Sequence, residues 1–289
     1  MREYKFIQLY IAVCHHYNNT LVAIAQRQSN NFSPKFTDEE AIATYIWGIY
    51  NQKFTVSGCY EFIKDYYGDW FPALPSYQAY NNRICYLADA FKVLADILLA
   101  GLGLDSSHAD FTMDSVPIVV AGSNRSGRAK AASDLCDKGY CASKGMYYYG
   151  VKLHILAQCN YKAMPTPAQM MTSKASEHDL SIAKQMLADV HNIRIFCDMA
   201  YTDKAWQETM LTQNNVEILT PIKRTKGQEV LYSADKFFSR AVSSVKQTIE
   251  SLNNWLIEKT NIQRASKIRS AAGLTAFIFA RIACACFLL

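Results

Sequence analysis

Apolar residues in the first hundred positions recur every three or four residues, which is the spacing of amphipathic helices. Thr37, with Glu40 three residues later, is a capping-box pattern and predicts that a helix begins there. A second helix is expected over 56–67. Ser76 can cap a third helix that runs towards Leu99. This part of the chain is therefore expected to be entirely helical.

The periodicity changes after Gly101 and Gly103, where we place a domain boundary. Alternating and β-branched residues then predict strands, and Pro117 is expected to limit the pairing of the first one. The expected strands cover 110–120, 146–158, 167–173, 192–201 and 216–223, and the expected helices cover 176–190, 203–215 and 236–259. Three strands followed by alternating helix and strand is the element order of an α/β fold with a ribonuclease-H-like mixed sheet flanked by helices. The sequence thus predicts an all-helical domain over 1–103 and this α/β domain over 104–289.

Positive charge is concentrated at the C-terminal end. The chain has 30 Lys and Arg against 25 Asp and Glu, a net charge of +5, and the segment from Lys236 to Leu289 alone carries eight of the cations and two of the acids. Lys and Arg displace counter-ions from phosphates, so this distribution favours a nucleic-acid partner. The alternative is a solvated basic helix.

Several classes of protein are disfavoured by the sequence. The nine Cys residues lack the paired spacing of a zinc site, so reduced thiols in a cytoplasmic protein are expected. The N-terminus lacks the pattern of a signal peptide. The apolar segment 273–289 is shorter than the ~20 residues of a membrane span and contains Arg281, which favours a buried helix. We find no phosphate-binding glycine loop and no nucleophile elbow.

Three carboxylates lie where they can meet at one edge of the expected sheet. Asp114 is on the first strand, Asp198 closes a later strand, and Glu250 flanks the apolar stripe of the last long helix. In-line attack on a phosphodiester builds negative charge that two divalent ions ~4 Å apart can stabilise. Mg²⁺ and Mn²⁺ prefer such oxygen ligands. Taken singly, each carboxylate has a simpler interpretation as a turn former or a surface ion pair, and Asp110, Asp203 and Glu258 are rival carboxylates of lower rank.

Several sequence blocks resemble one family. They are FTDEEAIATYIWGIYNQ and WFPALPSYQAYNNRI in the first half, and MDSVPI, KGYCASKGMYYYGVKLH, SEHDL, CDMAYTD, TPIKR and QTIESLNNWL in the second. Together they resemble the bacterial insertion-sequence transposases of the DDE superfamily, closest to the insertion sequence 982 family. The resemblance extends over nearly the whole chain.

This resemblance implies a ribonuclease-H-like catalytic domain after a helical DNA-binding domain, with Asp114, Asp198 and Glu250 as the metal-holding triad. It implies two Mg²⁺ or Mn²⁺ ions in each active site. Water would cleave double-stranded DNA at the terminal repeats of the element, and the freed 3′-hydroxyl would then attack target DNA. It also implies a homo-oligomer, a dimer in the DNA complex, that acts in the bacterial cytoplasm on nucleoid DNA.

The sequence departs from the related pattern at several positions. Met199 stands where Lys usually follows the second Asp. Around the Glu, the wider superfamily often has Tyr, Arg and Lys where this chain has Ser243, Lys246 and Ile257. Lys246 keeps a cation for phosphate but lacks the bidentate fork of Arg, and Lys259 lies two positions beyond the expected Lys.

Basic residues near these motifs are candidates for DNA contact. They are Lys138, Lys144, Lys152, Lys223, Arg224, Lys246, Lys259 and Arg264. In the helical half, Gln78, Asn81, Asn82 and Arg83 share a helix that could read a major groove. Solvated lysines and a polar helix face are the simpler interpretations.

Two other functions remain open at this stage. The altered motif after Asp198 would also suit a decayed protein that binds the element ends, or represses the element, without catalysis. A ribonuclease-H-fold nuclease with cellular duties is the third hypothesis.

Overall fold

A computed structural model describes residues 2–26, 34–160, 162–224 and 227–289. The chain divides into two compact units. The helical unit comprises Met1–Gly101, Lys130–Asp134 and Leu256–Leu289, and the sheet unit comprises Leu102–Ala129 and Leu135–Trp255. The C-terminal residues therefore pack with the N-terminal helices. The assignment of 1–103 to DNA binding and 104–289 to catalysis is a functional division and stays a prediction.

The helical unit is built from α-helices whose starts follow from local sequence. They are α1 (Arg2–Asn19), α2 (Asp38–Tyr50), α3 (Val56–Tyr67), α4 (Tyr77–Tyr86), α5 (Ala88–Ala100), the end of α9 (Thr248–Thr260) and α10 (Ala271–Leu288). The predicted capping box is confirmed, because Thr37 Oγ1 accepts from the Glu40 amide at 3.2 Å and Glu40 Oε2 accepts from the Thr37 amide at 2.7 Å. Ser76 caps α4 as expected.

The single helix expected from Ser76 to Leu99 is wrong, because the chain breaks at Leu87 into α4 and α5. No Gly or Pro lies at the break. Leu87 is fully buried, and the turn there lets α4 contact α2 and α3 while α5 lies along α10. Tertiary packing therefore overrides a locally continuous helical pattern.

The apolar C-terminal segment forms α10, which packs against α2, α4 and α5. Its length and composition alone would allow it to cross a membrane, but 61 % of it is buried within the protein. Arg281, in its middle, is fully buried. A core helix, as expected, accounts for the segment.

The sheet unit holds a six-stranded mixed sheet with helices. The strands are β1 (Asp110–Ala121), β2 (Asp137–Cys141), β3 (Met146–Gln158), β4 (Thr166–Lys174), β5 (Ile193–Phe196) and β6 (Val216–Leu219), and the helices are α6 (Asp179–Met186), α7 (Lys204–Asn214), α8 (Ser233–Lys246) and the start of α9. The strand order is β2-β3-β1-β5-β6, and β4 also pairs with β3. β1, β2 and β4 run antiparallel to β3, whereas β1, β5 and β6 are parallel. The expected mixed α/β sheet after a helical region is confirmed.

β3 is long enough to pair with two strands at one edge. β2 pairs with Met146–Gly150 and β4 pairs with Val151–Gln158. β2 was not predicted from its short, polar sequence. Gly150 lies opposite Val119 of β1, and a Cβ there would lie 2.0 Å from the carbonyl oxygen of Ile118, so the close approach of β3 to β1 requires glycine at this position.

β1 matches the strand expected over 110–120, but Pro117 does not end its pairing with β3, which continues to Ala121. β1 pairs with β5 only over Asp110–Thr112, so Pro117 lies opposite β3 alone. Other elements differ from expectation. The predicted helix over 236–259 is broken at Gln247 between α8 and α9. β5 ends at Phe196, so Asp198 lies in the turn that follows rather than on the strand.

Alternation along β1 decides which face carries the site. Met113 belongs to the buried cluster that joins the sheet to α6 and α7, together with Ile195 and Met210. Successive side chains of a strand point to opposite faces. Asp114 therefore points away from this core, towards Lys246 of α8 and Asn253 of α9. Ile249 and Leu252 of α9 are buried.

Candidate active site

Asp114 lies on β1 and has a cation and an amide as neighbours. Its Oδ2 lies 3.7 Å from the Nζ of Lys246 and accepts a 3.1 Å hydrogen bond from the Nδ2 of Asn253. The side chain is 24 % exposed. Burial raises the pKa of Asp114, and the nearby Lys246 ammonium opposes that rise.

Glu250 meets the same ammonium across the break between two helices. Lys246 is in the last turn of α8 and Glu250 is in the first turn of α9. Lys246 Nζ lies 3.5 Å from Oε1 of Glu250, a side chain that is 54 % exposed. One ammonium therefore interacts with both Asp114 and Glu250, although these residues come from distant parts of the chain.

Asp198 follows β5, the parallel neighbour of β1. Thr112 and Phe196 are the last residues that pair β1 with β5, so Asp114 and Asp198 each lie two residues beyond the same residue pair. Asp198 is exposed, and its Oδ1 accepts a 2.6 Å hydrogen bond from the Met199 amide. The charge of Asp198 contributes to the raised pKa of Asp114, which is consistent with their proximity.

A second group of charges surrounds Asp179, in the first turn of α6. Lys152 Nζ donates to Asp179 Oδ1 at 3.0 Å and to the carbonyl of Glu177 at 2.7 Å. His154 is fully buried, its Nδ1 lies 4.0 Å from Asp179 Oδ1, and its Nε2 lies 2.8 Å from Ser173 Oγ. Burial lowers the pKa of His154 against the attraction of Asp179. The charge of Asp179 also contributes to the raised pKa of Asp114.

Sequence reasoning missed Asn253. Its side chain is buried, and its Oδ1 has no hydrogen-bond partner among the described residues. The available signal was its spacing, because residues three apart on a helix share a face and Asn253 lies three residues after Glu250. Asp179 was likewise not predicted to lie near the site.

The comparison with known proteins decides the family. A family model described as "transposase DDE domain" matches residues 107–270, which is more than half of the chain. The chain belongs to the transposase DDE-domain family. No curated protein matches it. The matched segment of this DDE transposase contains Asp114, Asp198, Glu250, Lys246 and Asn253.

DDE transposase domains generally use divalent metal ions. Within the residues that the structure describes, no three His, Cys, Asp or Glu side chains are close enough together to hold a metal ion. The available donors nevertheless suit a hard cation, because they are carboxylate oxygens together with the buried Oδ1 of Asn253, which has no partner among the described residues. The ammonium of Lys246 lies between two of the carboxylates.

The rival carboxylates of the DDE transposase have other partners. Asp110 accepts from Arg194 at 2.7 Å. Asp203 caps α7 and accepts from Lys184 at 2.7 Å. Glu258 pairs with the neighbouring Lys259 at 3.0 Å.

The basic residues of the sheet unit differ in their surroundings. Lys138, Lys144 and Lys223 are exposed, and the Nζ of Lys138 lies 4.6 Å above the ring of Tyr147. Arg224 donates to the carbonyl of Glu229 at 3.0 Å. The ammonium of Lys152 is instead held by Asp179 and Glu177. A phosphate contact by Lys152 would require that pair to separate.

The candidates in the helical unit also divide into two groups. Arg83 forms a bidentate pair with the buried Asp38, donates to the Ala25 carbonyl, and stacks 4.4 Å from the ring of Tyr86. Its guanidinium is therefore engaged within the unit. Exposed candidates are Gln78, Asn82 and Arg264, whereas Asn81 is half-buried and Lys259 pairs with Glu258.

Proposed function

We propose that the chain is a transposase that cleaves double-stranded DNA at the ends of its element and joins the freed 3′-hydroxyl to target DNA. The observation that carries the proposal is that the ammonium of Lys246 contacts the carboxylates of both Asp114 and Glu250, while Asn253 donates a hydrogen bond to Asp114. The arrangement brings one cation that can bind phosphate together with oxygens that can bind a metal ion, in a segment that matches a DDE domain.

In this proposal Asp114, Asp198 and Glu250 hold Mg²⁺ or Mn²⁺, with two ions in the active site. When bound, such ions neutralise the charge that develops at the attacked phosphate and on the leaving oxygen. Asn253 orients Asp114 by its hydrogen bond and keeps a buried oxygen available beside it. Lys246 leaves the carboxylates and pairs with a DNA phosphate.

The exposed Lys138, Lys144 and Lys223 would contact the DNA backbone near this site, where Lys binds phosphate as a point charge. Arg224 and Arg264 are further candidates for phosphate contact. The helical region 1–103 would bind the terminal repeats of the element. Two copies of the chain, working in the cytoplasm, would hold the two ends together.

The strand order supports a ribonuclease-H-like assignment of this domain. On one side of the sheet, β3 pairs antiparallel with β1 and with both β2 and β4. On the other side of β1, the strands β5 and β6 run parallel to it. The sequence blocks around MDSVPI and QTIESLNNWL support placement in the insertion sequence 982 family.

Strand transfer is the reaction that tests this function against the alternatives. The substrate is a labelled duplex that carries an end of the element, incubated with a target plasmid and Mg²⁺ or Mn²⁺. Joined products with wild type and none with Asp198→Ala would support the proposal. Cleavage without joining would favour a nuclease.

A non-catalytic DNA-binding protein is the second candidate. It is favoured by Met199, which replaces a family Lys and is 50 % exposed beside Asp198. Duplex binding with neither cleavage nor joining, under either metal, would support this candidate and contradict the transposase.

A further inference from the structure

A cavity of about 280 Å³ lies within the helical unit, between the first turn of α3 and the segment that joins α9 to α10. Its lining includes two exposed cations, Arg264 and Lys267, and the hydroxyl-bearing Ser57. None of the described residues that line it is Asp or Glu. A concave surface with cations and hydroxyls but no acid is suited to an anion.

A guanidinium that has no counter-ion among the described residues lies next to this cavity. Arg281 is fully buried, and its terminal nitrogens donate to Phe54 O at 2.7 Å, Phe277 O at 3.1 Å and Tyr45 Oη at 3.4 Å. These three neutral partners all line the cavity. Within 2–26, 34–160, 162–224 and 227–289, no carboxylate pairs with Arg281 and its Nε has no hydrogen-bond partner.

A buried charge that lacks a counter-ion is destabilising, and an anion in the cavity would offset that cost. The N-terminus of α3 adds to the same field, because the positive end of the helix dipole lies at Val56 and Ser57. The side chain of Thr55 caps the amide of Gly58. Three sources of positive potential thus converge on one cavity.

We propose that this cavity binds a phosphate group of the DNA backbone. The inference rests on the proposed function, because that function supplies DNA as the source of the phosphate. Arg264 and Lys267 contact the phosphate, while Arg281 acts from within the fold through its charge. Such a contact positions the duplex on the helical unit without reading its sequence.

The test measures binding of the full chain to a short labelled duplex of random sequence, by fluorescence anisotropy over a series of salt concentrations. Arg264→Gln is expected to weaken binding about tenfold relative to Lys64→Gln, since it removes a charged hydrogen-bond donor to phosphate. It should also lower the salt dependence by about 0.9 in the slope of log K against log salt. Lys64 is the control, because it is an exposed cation of the same helical unit, on α3, and does not line the cavity.

A second variant separates loss of binding from loss of folding. Ser57→Asp places an acid in the cavity and at the second position of α3, where negative charge stabilises a helix. Its melting temperature should therefore match or exceed that of wild type. Its affinity for the duplex should nevertheless fall about tenfold, because the Asp carboxylate repels the phosphate and cannot replace the hydrogen bond of the Ser57 hydroxyl.

The outcomes are distinguishable. Variants Arg264→Gln and Ser57→Asp that bind the duplex as tightly as Lys64→Gln would overturn the cavity proposal and leave the proposed function intact. A wild type that does not bind the duplex would overturn both. Inorganic phosphate that raises the melting temperature of wild type but not of Ser57→Asp, with duplex binding unchanged in the variants, would identify a free-anion site and overturn the DNA assignment.

Discussion

Asn253 holds Asp114 by a 3.1 Å hydrogen bond from its amide nitrogen to Oδ2. The carbonyl oxygen of the same amide is buried and has no partner among the described residues. A donor to a carboxylate favours its ionised form and fixes its orientation. A residue that orients a metal-holding carboxylate affects catalysis even when it does not touch the substrate.

Replacing Asn253 with Ala is expected to lower metal-dependent cleavage about 10- to 100-fold, because Asp114 loses its orienting donor. The affinity for Mn²⁺, measured by isothermal titration calorimetry, should fall in parallel, whereas duplex binding should not change. Asn254→Ala is the control, since Asn254 is the exposed neighbour on the same helix. Equal Mn²⁺ affinity in the two variants would contradict a positioning role for Asn253.

Lys246→Met is expected to make the protein depend more strongly on metal for its stability. Without this ammonium, Asp114 and Glu250 lose the cation that offsets their repulsion. Added Mn²⁺ should therefore raise the melting temperature of Lys246→Met by more than that of wild type. Lys236→Met, an exposed position on the same helix α8, should respond like wild type. A smaller Mn²⁺ effect in Lys246→Met would show that the lysine does not neutralise the carboxylates.

His154 predicts a loss of stability in mild acid. Burial lowers its pKa from 6.5 to about 4, so the folded chain keeps the imidazole neutral. As the pH falls below about 6.5, His154 takes up a proton in the unfolded chain, whereas in the folded chain it does so only near pH 4. Between about pH 6.5 and pH 4 the folded state therefore loses stability relative to the unfolded state as the pH falls, and above about pH 6.5 this loss is absent.

The free energy of unfolding of wild type should thus fall by at most about 1.4 kcal/mol per pH unit through this window relative to His154→Gln. Denaturant titrations at a series of pH values measure the difference. His191→Gln, an exposed histidine, should keep the slope of wild type. If His154→Gln keeps that slope too, the depressed pKa is wrong.

The Arg83–Asp38 pair predicts a structural effect that can be mistaken for a DNA effect. Their side chains are only 14 % and 6 % exposed. Removal of one partner from a buried pair costs about 3–5 kcal/mol, so Asp38→Ala should lower the free energy of unfolding by that order. Glu258→Ala, which breaks an exposed pair with Lys259, should change it by less than about 1 kcal/mol. A similarly small effect of Asp38→Ala would free Arg83 for the role of a DNA contact.

Local signals in the sequence predicted much of the framework. The starts of α2, α3 and α4 are capped by Thr37, Thr55 and Ser76, and each cap is a hydrogen bond between residues three apart. The two-residue alternation of a strand places Phe111 and Met113 on the face opposite to Asp114, and both apolar side chains are buried in the core. These features depend on neighbours in the chain, so the sequence contains the information.

The breaks and the contacts of the site depend on distant residues. No Gly or Pro marks the helix break at Gln247. The contact between Lys246 and Asp114 joins residues that are far apart in the chain. Lys152 was expected to face DNA but is held by Asp179, which lies 27 residues further along the chain. Asn253 reaches Asp114 only because α9 packs near β1.

The most direct test of the account is metal-dependent cleavage of a labelled duplex that carries the element's own ends. Wild type is expected to nick at the ends with Mg²⁺ or Mn²⁺, and Asp114→Asn, Asp198→Ala and Glu250→Gln should each abolish nicking while retaining duplex binding. Glu208→Gln, at an exposed carboxylate on α7, should cleave like wild type. Cleavage that survives any of the three triad substitutions, or a wild type that binds without cleaving under either metal, would contradict the assigned active site.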